Sequence, residues 1–181
     1  MSTILDLPLH PLAVHAPIVL VGLLVLGGLV YLLIPPLRQR IGWAVAALVL
    51  LAPLSVFAGI YTGRQLADYK KPDGWSDAIT QHHDYAFLLL WTLVALVPVW
   101  LLFAGLDRGR RTARARDVEA PAPAEDGESG SAGSSDPAAT GRKVVMFIVG
   151  LLALALLLLA AWWLFKTGDA GAQMTWGGVV R

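Results

Sequence analysis

Cysteine is absent from this chain. That removes disulfides, iron–sulfur clusters, thiolate zinc sites and covalent c-type haem attachment, so any bound metal would rest on histidine, carboxylate or methionine. Charge is scarce too: 15% of the residues are charged, against roughly 25% in an average soluble domain. With a formal net charge of +1, nothing points to nucleic acid. The first ten residues hold Asp6 but no Lys or Arg, whereas a cleaved signal opens on a basic leader. The first apolar segment therefore reads as a permanent helix. No phosphate loop, no nucleophile with its base and no acid pair within an apolar run is visible, so the sequence suggests no enzyme.

What is abundant is apolar surface, 56% of the 181 residues. Crossing a hydrocarbon core of about 30 Å takes around 20 helical residues. Four segments are long enough, at about 11–34, 41–61, 84–106 and 144–165. Pro35-Pro36 stops the first, because proline lacks the N–H of the ladder and restricts the residue before it. Pro53 and Pro98 fall inside the second and third, where neighbouring helices can re-satisfy the freed carbonyls. Gly22, Gly27, Gly28 and Gly59 are small enough to let helix backbones approach closely. Residues 107–143 open on Arg108, Arg110, Arg111, Arg114 and Arg116 and continue as PAPAEDGESGSAGSSDPAATG, a composition too poor in apolar bulk to offset its ordering entropy. They read as a flexible linker. The expected fold class is all-α, a single four-helix transmembrane bundle.

Orientation follows from Lys and Arg in the short connections. The first and third loops hold Arg38, Arg40, the five arginines above, Arg142 and Lys143, nine in all; the opposite side holds Arg64, Lys70, Lys71, Lys166 and Arg181, five. The nine mark the cytoplasmic side, which puts both termini outside and the linker inside. Trp43, Trp75, Trp162 and Trp163 fall near the expected interfaces; Trp91 and Trp100 fall deeper and read as packing residues.

All four histidines then lie toward the outer side, His10 and His15 at the entry of the first helix, His82 and His83 before the third. Ionisable groups at a membrane boundary are costly unless paired, ligated or wetted. One reading makes them ligands of haem b or a transition metal, with neutral imidazoles arriving from two helices of a bundle. The other makes them interfacial side chains hydrogen-bonded to loop carbonyls. Asp6, Asp77 and Asp84 are positioned to support a ligating ring, although Ser76, Asp77 and Asp84 also suit a helix start.

The run DLPLHPLAVHAPIVLVG, with Thr62-Gly63 ending the second helix and a histidine before the third, resembles the bacterial DUF2231 family of small membrane proteins. His83, followed three residues on by Ala86, matches that family's pattern better than His82. The resemblance implies a multi-pass plasma-membrane protein with His10, His15 and His83 as candidate cofactor ligands and His82 as the weaker one. The family's C-terminal histidine is missing from GAQMTWGGVVR. Two function classes follow: a redox or cofactor-handling protein using haem b or a metal ion, working beside respiratory-chain or other membrane proteins, and an accessory or scaffold subunit whose histidines are structural. A transporter is disfavoured, for want of a midplane charge or broken helices.

Overall fold

A computed structural model describes residues 3–4, 7–119 and 137–177. A two-residue antiparallel ladder, β1 (Thr3–Ile4) with β2 (Leu7–Pro8), precedes α1 (Leu9–Ala13) and α2 (His15–Leu33). A 3-10 turn, Pro35–Leu37, leads into α3 (Arg38–Lys70), followed by α4 (Asp77–Glu119) and α5 (Pro137–Trp176). Four segments are long and apolar enough to cross a membrane: Leu9–Leu33, Pro35–Lys70, Asp77–Ala113 and Gly141–Trp176. The chain is thus built as a multi-pass, lipid-embedded helical protein.

Helix ends follow local chemistry. The break at Val14 coincides with the missing N–H of Pro17, which leaves the Ala13 carbonyl without its ladder partner; the flanking bonds, Val14 N–H to His10 and Ile18 N–H to Val14, are kept at 3.0 and 3.3 Å. α2 stops where Ile34 turns to φ −121°, ψ 82° ahead of Pro35, as a pre-proline residue must. Gly74, at φ +126°, turns the loop between α3 and α4 in a conformation that costs other residues steric strain.

Three helices run further than the hydrophobic pattern reaches. α3 continues past Tyr61 to Lys70, and α4 starts at Asp77, whose carboxylate suits the helix N-terminus, and runs to Glu119. α5 covers 137–176 rather than 144–165. Loss of hydrophobicity does not end a helix; arginine and alanine are good helix formers, and solvent receives the charged face. The two flanks of the expected linker, up to Glu119 and from Pro137, are therefore helical, while 120–136 lie outside the described residues.

The bundle closes as a ring in which α2 packs on α3, α3 on α4, α4 on α5 and α5 on α2. Its core comes from Val21, Leu24 and Tyr31 of α2; Val45, Val49, Ala52, Val56 and Ile60 of α3; Leu89, Leu93, Leu96, Trp100 and Phe103 of α4; and Ala153, Leu157 and Ala160 of α5. Steps of three and four along each helix make a seam suited to side-chain interlocking between neighbours. Gly28 belongs to the α2 seam: a Cβ there would lie 2.8 Å from Leu157 Cδ1, so glycine permits the α2–α5 approach. Gly22 meets nothing within 4 Å. Outward positions are as apolar as inward ones. Trp100 is buried, whereas Trp91, expected to pack, is 63% exposed on the outer face.

Candidate functional site

The bundle carries polar clusters at its two ends. One end gathers α1, the C-terminal part of α3, the start of α4 and the C-terminal part of α5, and it holds the histidines. His10 on α1 is half-buried against α3, with Nδ1 3.3 Å from Thr62 Oγ1. The Thr62 hydroxyl directs its own hydrogen to the Ala58 and Gly59 carbonyls, at 2.9 and 3.1 Å. Its oxygen is then the acceptor and His10 Nδ1 the donor. The ring rests on Gly63, where a Cβ would come within 2.9 Å of Cε1. Thr62-Gly63 therefore makes a seat for His10.

His82 repeats the arrangement on the facing pair of helices. Its Nδ1 lies 2.9 Å from the carbonyl oxygen of Thr167 on α5, and a carbonyl only accepts, so Nδ1 carries the hydrogen. In the neutral ring, Nε2 then keeps its lone pair. His82 and His10 sit within electrostatic reach of each other. Two imidazoles, from α1 and α4, converge on this end of the bundle.

His83, itself within electrostatic reach of His82, turns its ring elsewhere, between the rings of Trp75, 5.1 Å away edge-on, and Phe87, 4.8 Å away. Its Nδ1 is 3.7 Å from the exposed Asp84 carboxylate, while Nε2 is buried without a hydrogen-bond partner among the described residues. Trp75 is held over it by a 2.8 Å hydrogen bond from Nε1 to Asp68. His15, the first residue of α2, is exposed and makes no hydrogen bond or ion pair among the described residues. Asp77 stands exposed in the first turn of α4, and Asp6 lies outside the described residues. The candidates thus separate into a convergent pair, His10 and His82, an aromatic-boxed His83 and an outward His15. Among the described residues no three His, Asp or Glu side chains gather as a metal cage would require.

At the opposite end, Arg38 and Asp107 form a buried ion pair that the sequence pattern did not reveal. Arg38 Nη1 lies 2.9 Å from Asp107 Oδ1, with their side chains 8% and 1% exposed. Arg38 also donates through Nε to the Tyr31 carbonyl and through Nη2 to the Leu32 carbonyl, both at 2.8 Å. These are carbonyls that the end of α2 leaves free, so Arg38 caps one helix while starting the next. Its guanidinium lies over the Tyr31 and Phe103 rings, 5.7 and 5.3 Å from their centroids, a favourable cation–π setting. Arg111 Nη2 approaches Asp107 Oδ2 at 2.8 Å without hydrogen-bond geometry, and Arg110 stands 3.7 Å from Oδ1. The available signal was a single acid where the third apolar run meets its arginines, a position at which an ionisable group needs a partner.

No family model, curated protein or solved structure matches the chain.

Proposed function

We propose that this protein is a small, non-enzymatic, multi-pass subunit of the plasma membrane, of the DUF2231 kind. In this reading it has both termini outside and serves as an accessory or scaffold component of a larger membrane assembly. Its histidine end acts as an interhelical lock. The observation that carries the reading is the commitment of both convergent imidazoles: His10 donates to Thr62 across α1–α3, and His82 to the Thr167 carbonyl across α4–α5. Such bonds between membrane helices each contribute on the order of 1 kcal/mol.

One observation favours a second reading, in which the same pair ligates haem b. A ligating histidine ordinarily donates its other ring N–H to an oxygen, which fixes the tautomer and orients the ring. His82 has that arrangement, and Thr62 supplies the oxygen for His10. Haem, where bound, would be held by His10 and His82 and would supply one-electron chemistry.

Purification from cells grown with ample haem and metals separates the two. Colourless, metal-free protein that melts at a lower temperature as His10→Ala or His82→Ala is the expected result. A Soret band lost in both variants but kept in His15→Ala would replace the lock with the haem reading.

A further inference from the structure

We infer that the arginine end carries a binding groove for one phospholipid with an anionic headgroup. A groove of about 440 Å³ opens between the end of α2, the arginine-bearing part of α4 and the first turns of α5. That volume falls within the roughly 300–1,000 Å³ typical of small-molecule sites. Its wall is apolar, with Leu33, Phe147, Leu151 and Leu154 among the lining residues; three cations line it, Arg38, which is paired with Asp107, and Arg110 and Lys143. An apolar trough with a cationic rim matches an acyl chain attached to a phosphate.

Among the described residues, the charges of Arg110 and Lys143 are not consumed. Asp107 already has Arg38 and Arg111 at 2.9 and 2.8 Å. Arg110, at 3.7 Å and with its side chain 47% exposed, is the third cation on a single carboxylate. Lys143 is exposed and forms no ion pair among the described residues. Among the described residues the site therefore holds a surplus of positive charge on two different helices, and an anion placed between them would bridge α4 to α5. Arg110 lies near the end of one membrane-capable segment, Asp77–Ala113, and Lys143 near the start of another, Gly141–Trp176. That is the level of a headgroup, with Phe147 and Leu151, 72% and 56% exposed, one to two turns deeper, where the chain would run.

Native mass spectrometry of the full-length protein in mild detergent, titrated with phosphatidylglycerol or with phosphatidylcholine of the same acyl chains, tests it. Phosphatidylglycerol should bind more tightly, and Lys143→Gln, an exposed change that leaves the melting temperature unaltered, should weaken it about fivefold, as expected of one cation near a membrane surface. Arg110→Gln should do the same, whereas Arg142→Gln, the adjacent exposed cation outside the groove, should not. Leu151→Gln should weaken lipid binding through the chain. Equal affinity for the two lipids would overturn the inference, as would an equal loss in Arg142→Gln, which would mean diffuse surface attraction. Competition by inorganic phosphate as effective as by phosphatidylglycerol would show an anion pocket rather than a lipid site.

Discussion

Asp107 has three guanidiniums around it and almost no contact with solvent. A buried ion pair is a poor source of net stability, because two desolvation costs offset the attraction, yet removing one partner leaves the other charge stranded. Asp107→Ala would strand Arg38, whose remaining partners are two carbonyls and two ring faces. The expected loss is about 3–5 kcal/mol, seen as a lower melting temperature in detergent. The double variant Arg38→Met/Asp107→Leu should recover part of it, since neither charge of the pair is then stranded, although the Tyr31 and Leu32 carbonyls lose their donor. If Asp107→Ala melts with the wild type, the pair has no structural role.

Among the helices, the α2–α5 contact turns on Gly28 and Leu157. Gly28→Ala would put a methyl group 2.8 Å from Leu157 Cδ1, which the leucine must vacate or the helices must separate to accommodate. Overpacking of this kind costs roughly 1–3 kcal/mol. Leu157→Ala alone should also destabilise, by opening a cavity, but the double variant should be more stable than the two losses summed. A double-mutant cycle on melting free energies measures that coupling, and simple additivity would mean that α2 and α5 do not meet at this point. Gly22, with open space around it, should tolerate alanine.

For the molecule as a whole, the nine-to-five bias of Lys and Arg predicts that the arginine end is cytoplasmic and the histidine end external. The lack of native cysteine makes this testable with one thiol at a time. Ser76 and Thr112 are exposed at the histidine and arginine ends respectively. In intact cells a membrane-impermeant maleimide should label Ser76→Cys directly and Thr112→Cys only after lysis. The reverse pattern would invert the orientation and move the histidines to the cytoplasmic side.

Four apolar runs were legible in the sequence because length and composition alone meet the span of a bilayer. The α2–α3 stop was equally legible, because proline acts on its own backbone and the residue before it. Helix ends beyond the membrane were not, since hydrophobicity reports the solvent rather than the backbone; Arg108 to Arg116 look like linker and continue α4. Candidate ligands could be named from the sequence, but not their pairing. Of the two neighbours His83 was the expected ligand, yet its ring sits between Trp75 and Phe87, while His82 turns toward α5 and shares its end of the bundle with His10.

Adjacent residues on a helix differ by about 100°, so which of two neighbouring histidines faces inward depends on the rotation of α4 in the bundle. When every face of a helix is apolar, no hydrophobic stripe reveals that rotation. By itself, the sequence determined that the chain forms helices long and apolar enough to span a membrane and where its charges and histidines fall along them. Only the tertiary structure decided which side chains meet, through the seam that buries Leu24, Leu93 and Leu157 and thereby brings Arg38 to Asp107, His10 to Thr62 and His82 to Thr167.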